Sequence, residues 1–318
     1  MNNLKLKDGL ELSKIILGSV PFGTQITKEN SFEIMDYYFE NGGNTIDTAR
    51  AYCGWIKGGE YASEETIGEW VKSRNNRDKI KIITKGAHPS FNEEIQQKRL
   101  SEEDIGYDMN TSLNTLKMDY VDLYLLHRDD EDVPVSTIMD TLHKLVLEGK
   151  TKSIGVSNWK LKRITEANDY AKKSGKTPLC VSEIQWSLAQ CFPKTLNDQS
   201  ILCMNDLIYK RYLENEFPVI AFTSQAGGVF SCGYKEDLVD IAGKHKKYLT
   251  SENKKRYNKL LQLCEEKDYK PSSVAIQYIT DNRLPASAII GCSSVEQLKD
   301  SMCATKNKLS LDEIDKLV

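Results

Sequence analysis

"VDLYLLHRDDEDVPVSTIMDTLHKLVLEGKTKSIGVSN", residues 121–158, decides the reading of the fold. It opens on a short strand-length run, "VDLYLLH" (121–127), and passes through an acidic turn. An amphipathic stretch of helical length follows (135–150), and then a second strand-like run, "KSIGVSN" (152–158). A strand, a helix and a strand joined this closely make a parallel pair with a crossover helix.

The same alternation extends in both directions. "KIILG" (14–18), "NTIDTA" (44–49), "KIKIITK" (79–85), "CVSEIQW" (180–186), "PVIAFTS" (218–224) and "SAIIGCS" (287–293) read as the other strands. Helices are expected at 28–43, at 63–74 with Ser63 as cap, around 99–116, and at 161–174, 199–215, 253–266, 271–281 and 294–304. Eight strands alternating with helices predict an α/β fold, a (β/α)8 TIM barrel with a parallel eight-stranded barrel. The alternating "MNNLKLKDG" at the start is assigned to an N-terminal β-hairpin. A doubly wound dinucleotide-binding sheet is the rival, but no GxGxxG follows any strand. With no linker, repeat or low-complexity segment, residues 1–318 are expected to form one domain.

The totals exclude several classes of function. Against 43 basic residues stand 46 acidic ones, well mixed, for a net charge of −3. That balance gives no surface for nucleic acid and no reason for membrane attachment. No run approaches the roughly 18 apolar residues of a membrane span, and the N-terminal stretch lacks the apolar segment of a signal peptide. The eight cysteines contain no CxxC pair and are expected as reduced, mostly buried thiols. The cytosol is the expected compartment. No His, Cys and carboxylate set has metal-ligand spacing, so no metal is expected.

In such a barrel, chemistry gathers at strand C-termini and the loops that follow. Strand two ends at Asp47 and leads to Tyr52, strand three ends at Lys85, and strand four at His127. A phenol has an ordinary pKa of about 10. A nearby ammonium stabilises its phenolate, and a carboxylate keeps that ammonium charged and oriented. Tyr52 then serves as a general acid tuned by Lys85, with Asp47 as the lysine's partner and His127 donating to a substrate oxygen. Taken singly, Asp47 also fits a turn former, Lys85 a solvated strand terminus and His127 a core histidine; joint placement at successive strand ends favours a site. His143 is expected to be exposed, His245 to lie in a solvated "KHKK" run or in a loop that closes over a cofactor's pyrophosphate, and Asp129 and Asp130 to form a solvated turn, with binding of polyol or sugar hydroxyls as their other reading. Trp55, Trp159 and Trp186 follow strand ends, and Trp55, Trp186 and His88 are assigned to the substrate pocket. Loops 54–62, 86–98 and 224–252 are expected to shape it.

Asp-x4-Tyr after strand two, Lys at the end of strand three and "LYLLHRDD" at the end of strand four resemble the aldo-keto reductases, and the likeness runs from "ILGSVPFG" to "GCSSVEQLKDS". The resemblance implies that Asp47, Tyr52, Lys85 and His127 are a catalytic tetrad. It also implies a nicotinamide cofactor, NADP with NAD as the alternative, that exchanges hydride with a small carbonyl or alcohol substrate (an aldehyde, a ketone or an oxidised sugar). By the same resemblance Ser157, Asn158 and Glu183 hold the nicotinamide carboxamide and Phe222 stacks on its ring. Ser293, Gln297, Asp300 and Ser301 match the adenosine-phosphate motif, and Ser19 and Thr223 complete the cofactor set. The chain departs from the family pattern at Glu183, where a glutamine is usual and Gln185 lies two residues on. It also lacks a basic residue at 291 or 297, and has Ser301 in place of an asparagine. Two other readings remain: a nicotinamide-binding regulatory subunit with little turnover, and a barrel glycosidase with Asp47 and Glu183 as its carboxylates.

Overall fold

The computed structural model describes residues 2–89, 98–232 and 245–318. Strands β1 (Asn3–Lys5) and β2 (Glu11–Ser13) pair with each other, and Leu6 N–H donates to the Leu10 carbonyl at 2.8 Å across their turn. The N-terminal hairpin is therefore present.

β3 (Ile15–Gly18), α1 (Lys28–Glu40), β4 (Thr45–Asp47), α2 (Ala62–Arg74), β5 (Lys81–Gly86) and α3 (Glu102–Leu116) follow. Next come β6 (Val121–Leu126), α4 (Val135–Leu147), β7 (Thr151–Ser157), α5 (Leu161–Lys173) and β8 (Ser182–Gln185). The chain continues through α6 (Asp206–Glu214), β9 (Val219–Phe222), α7 (Ser251–Lys267), α8 (Pro271–Thr280), β10 (Ala286–Ile290), α9 (Val295–Met302) and α10 (Leu311–Lys316). Strands β3 to β10 close into a barrel in the order β10-β3-β4-β5-β6-β7-β8-β9. The expected (β/α)8 barrel is what forms.

Packing groups the chain into two compact units, one of residues 5–12 and 16–182, the other of 1–4, 13–15 and 183–318. In the first, β5, β6 and β7 lie parallel in register, with Ile83 beside Leu123 and Leu125 beside Gly155. All six residues of β6 are buried, as a strand covered on both faces requires, and this is why "VDLYLL" reads as an almost unbroken apolar run. α3 starts where the Ser101 side chain accepts from Asp104 N–H at 3.0 Å, and buries Ile105, Met109, Leu113 and Leu116 along one stripe. In the second unit, β9 and β10 pair in parallel, with Ala221 beside Ala288.

Several boundaries move, for local reasons. Ser63 does not cap α2: Tyr61 does, with φ of 67°, and Ser63 lies inside the helix with its hydroxyl turned into the core. α6 is shorter than 199–215 because Asn205, not an earlier residue, accepts from Ile208 N–H at 2.9 Å. α10 was not anticipated, although "SLDE" is the capping box that starts it: Ser310 and Glu313 cap each other's backbone N–H. His143 is half-buried rather than exposed, its Nδ1 accepting from Thr177 N–H at 3.2 Å. Asp129 and Asp130 are not a solvated turn either; Asp130 is 8% exposed and Asp129 pairs with Arg163 at 3.0 Å. His245 ties back to the Gly227 carbonyl at 2.8 Å. Residues 90–97 and 233–244, within two of the loops assigned to the pocket, lie outside the described residues. Six of the cysteines are buried, Cys232 is exposed and Cys303 intermediate, and none is in a disulfide. Among the described residues no helix is long and apolar enough to cross a membrane.

Candidate active site

The first unit brings the four expected residues to one end of its strands. Asp47 is the last residue of β4, Lys85 the last but one of β5, and His127 the first after β6. Lys85 is wholly buried, so it is not a solvated strand terminus. Its ammonium donates to Asp47 Oδ1 at 2.7 Å and Oδ2 at 2.6 Å, to the Thr48 carbonyl at 3.0 Å and to the Tyr52 hydroxyl at 3.0 Å. An ammonium has three protons, and here three groups receive them. Tyr52 O–H in turn donates to Asp47 Oδ1 at 3.3 Å. A buried cation is costly unless it is paired and fully hydrogen-bonded, and this one is both.

His127 is 9% exposed, and its ring meets Tyr52 edge-on at 6.1 Å and His88 at 4.7 Å between centroids. Burial, with His88, Arg128 and Lys85 nearby, holds its pKa well below the ordinary histidine value, so it is neutral at physiological pH. Its Nδ1 has no hydrogen-bond partner among the described residues. His88 Nδ1–H donates to the Pro89 carbonyl at 2.7 Å, which fixes that ring's tautomer. Ser157 ends β7, and its hydroxyl accepts from the Asn158 amide at 2.9 Å. Trp55 is half exposed. Trp159, by contrast, is wholly buried under the Arg163 guanidinium.

The support beneath these residues was not anticipated. Ser19 Oγ donates to the Asp47 carbonyl at 2.7 Å and lies 2.8 Å from Ser63 Oγ, which lies 2.9 Å from Thr48 Oγ1. This hydroxyl trio fixes the peptide that carries Asp47 and Thr48. Arg50, between Asp47 and Tyr52, pairs with Asp108 at 2.9 Å, while its N–H donates to the Lys85 carbonyl at 3.1 Å. Asp108 also pairs with Arg99 at 2.7 Å and accepts from Ala87 N–H at 2.8 Å. That bond holds Ala87 at a φ of 60°, a left-handed conformation an alanine adopts only when its surroundings impose it. A Cβ at Gly86 would lie 1.9 Å from the Tyr124 hydroxyl and 2.9 Å from Asp108 Cβ, so only glycine lets α3 approach here. Glu64 is buried beside this group and accepts from Thr84 Oγ1 at 2.6 Å. Burial pushes its pKa up to about 7 against the opposing pull of Thr84, Ser112 and Arg50. The sequence held one signal for Asp108 and Glu64: each is an acid inside a buried helical stripe.

The second unit carries the other expected residues. Glu183 and Gln185 lie on β8, 2% and 4% exposed. Trp186 is buried between Tyr209 and Tyr278 at 6.0 and 5.9 Å, and its backbone N–H donates to the Phe222 carbonyl at 3.3 Å. Phe222 ends β9 half-buried, and Thr223 follows exposed at a φ of 51°. Gln297 Oε1 accepts from Ser293 N–H at 2.9 Å and from its hydroxyl at 3.1 Å, which draws the two residues together at the start of α9. Asp300 pairs with Lys270, and Ser301 accepts from the Gln225 amide at 3.1 Å.

A buried carboxylate–ammonium pair aimed at a phenol, with a neutral imidazole against it, suits proton exchange with a carbonyl or alcohol oxygen. Residues 14–318 match the profile of the aldo/keto reductase family. The chain belongs to that family. This aldo/keto reductase is 28% identical to a norsolorinic acid reductase of Emericella nidulans, over 96% of this chain and 77% of that one. It is 30% identical to an aryl-alcohol dehydrogenase of Phanerodontia chrysosporium named for NADP(+), over 96% and 82% of the two chains. An oxidoreductase of Bacillus subtilis is 27% identical over 96% and 91%. As a member of this family the protein is an oxidoreductase acting on small molecules.

Proposed function

We propose that the protein is an NADP(H)-dependent reductase of aldehydes or ketones, aromatic ones foremost, working in either direction, with Tyr52 as the proton donor. The observation that carries this is the Lys85 ammonium, 3.0 Å from the Tyr52 hydroxyl and clamped by both oxygens of Asp47. Lys85 stabilises the phenolate that remains once Tyr52 has given up its proton. His127, neutral, donates a hydrogen bond to the substrate oxygen and positions it for Tyr52. Asp47 keeps Lys85 charged and in place.

The cofactor's nicotinamide supplies the hydride when bound. Ser157, Asn158 and Glu183 suit its carboxamide, with Glu183 accepting where a glutamine would also donate. Phe222 offers a ring face at the end of β9. Ser293, Gln297 and Ser301 offer hydroxyl and amide groups at α9, where the helix N-terminus favours an anion. Lys270 is already paired with Asp300 of this motif, so the preference for NADP rests on the neutral donors and on the relative named for NADP(+). Trp55, half exposed, gives an aromatic wall, consistent with relatives named for aryl alcohols and for norsolorinic acid. A cytosolic location fits a soluble dinucleotide as co-substrate.

The test follows the near-ultraviolet absorbance of NADPH as purified protein meets aromatic aldehydes, ketones, quinones and oxidised sugars, with Tyr52→Phe alongside. Consumption by the wild type that drops about 100-fold or more in the variant supports the reading. Equal turnover in the two proteins, or none in either direction with either cofactor, overturns it.

A further inference from the structure

The chain between β4 and α2 is fastened at Arg50. Thr48 N–H donates to the Ile83 carbonyl at 2.9 Å and Arg50 N–H to the Lys85 carbonyl at 3.1 Å, so the pairing with β5 runs on past the end of β4. The chain then turns. Tyr52 N–H donates to the Ala49 carbonyl at 3.0 Å, closing a four-residue turn in which Arg50 holds the second place and Tyr52 the last. The Arg50 side chain reaches α3, where its Nε lies 2.9 Å from Asp108 Oδ1. The turn that carries the phenol is therefore held to β5 by the Arg50 backbone and to α3 by the Arg50 side chain.

The anchor on α3 is firm. Asp108 is wholly buried, pairs with Arg99 at 2.7 Å and accepts from Ala87 N–H at 2.8 Å. The Arg50 side chain is only 17% exposed, so its pair with Asp108 is little screened. Its charge reaches the groups packed around it: Arg50 favours the ionised forms of Glu64 on α2 and Tyr124 on β6, and opposes that of His127. The His127 ring in turn lies 6.1 Å from that of Tyr52. Lys85 is matched by Asp47, whereas Asp108 is shared between two guanidiniums. Glu64, its pKa pushed up to about 7 by burial, is protonated below that pH. The group beside Tyr52 thus carries a surplus positive charge.

We propose that Arg50 is a positioning residue for Tyr52: clamped between the Lys85 carbonyl and Asp108, it holds the Tyr52 hydroxyl at the Lys85 ammonium and adds a second cation that stabilises the phenolate. This rests on the reading of Tyr52 as the proton donor. Lys85 acts on the hydroxyl by contact at 3.0 Å, and Arg50 acts through the turn and through its charge. A tie that merely joined the loop to α3 would change stability and leave the ionisation of Tyr52 where it is.

Titrating the near-ultraviolet tyrosinate absorbance of the full chain tests this, the part missing from Tyr52→Phe being assigned to Tyr52. Arg50→Gln removes the charge, keeps a donor at position 50 and leaves Asp108 paired with Arg99. Arg50→Met repeats the measurement with an apolar stem should Arg50→Gln not fold, and Arg50→Lys restores a cation. Expected is a Tyr52 titration displaced to higher pH by about half a unit or more in the two neutral variants, and by less in Arg50→Lys. In Arg50→Gln kcat at neutral pH should fall about tenfold, while KM for the carbonyl substrate and the affinity for NADPH, read by quenching of intrinsic fluorescence, stay within about twofold. The proposal is overturned if the Tyr52 titration stays put in the neutral variants, or if Arg50→Lys moves it as far as they do. The titration needs no substrate, so a wild type without turnover counts against the reductase reading, whereas an unmoved Tyr52 titration counts against the role of Arg50.

Discussion

The two ends of strands β4 to β6 each hold a fully buried carboxylate, and they treat it differently. At the exit end Asp47 meets Lys85, and the ammonium is as buried as the acid. At the entry end Asp122 accepts from Ile82 N–H at 3.1 Å, and Arg77, Lys81 and Lys152 approach it at 2.9, 3.9 and 3.2 Å. Those three cations are 22%, 27% and 51% exposed, so water shares their charge. The entry cluster ties strand ends together with several replaceable partners. The exit cluster has one cation whose remaining protons go to Thr48 and Tyr52. A structural pair shares its charge out, whereas the exit pair directs it at a hydroxyl.

The most severe test removes the exit cation. Lys85→Met leaves Asp47 buried and uncompensated, a change that costs about 3–5 kcal/mol when one partner of a buried pair is lost. Urea unfolding should show that loss, and turnover per folded molecule should fall at least about 100-fold. A stable variant that still turns over would erase the distinction between the two ends.

Glu64, one layer behind the exit cluster, gives the next largest effect, and it depends on pH. Its folded pKa is raised from 4.5 to about 7, so the folded protein binds a proton that the unfolded chain releases. Stability contributed by this site is therefore lost as pH rises through that window. Glu64→Gln keeps an acceptor for Thr84 and removes the titration. The variant should match the wild type near pH 5 and gain up to about 3 kcal/mol by pH 8, since each pKa unit is worth about 1.4 kcal/mol. A gain of the same size at both pH values would show that ionisation is not its cause.

Asp122→Asn tests the entry end. It removes the charge that three hydrated cations share and weakens the bond to Ile82, at about 1–3 kcal/mol. Turnover per folded molecule should stay within about twofold of the wild type, because the tetrad's own contacts are untouched. A collapse in turnover comparable to that of Lys85→Met would mean the ends are coupled.

The same contrast explains what could be read from the sequence. The strand ends were legible because "NTID", "IITK" and "LYLLH" each stop an apolar run with a polar group, and period and spacing reveal that directly. Asp108, Arg50 and the Ser19–Ser63–Thr48 trio were not legible as supports, because each acts across elements distant in sequence: Asp108 sits on α3 yet holds Ala87 and Arg50. Ser63 shows how the local rule misleads. A serine at a helix start reads as a cap, but here its hydroxyl binds the Ser19 carbonyl at 2.9 Å and Tyr61 ends the loop instead. His143 and Asp130 follow the same pattern, since their partners Thr177 and Lys98 lie 34 and 32 residues away.

The smallest expected effect probes the entry end most finely. Lys152 reaches Asp122 and also lies over the Tyr120 ring at 4.2 Å, a ring the Arg77 guanidinium also meets at 4.1 Å. Its ammonium is half exposed, so both contacts are screened and the ordering of a long side chain offsets part of them. Lys152→Met keeps apolar cover on the ring while Arg77 still pairs with Asp122, which places the loss at about 0.5–1 kcal/mol. Raising the salt concentration should shrink the difference between variant and wild type, because a half-exposed pair is screened while the Lys85–Asp47 pair is not. If Lys152→Met instead cost as much as Asp122→Asn, the charge would not be shared at the entry end, and both ends would hold their carboxylate through a single cation.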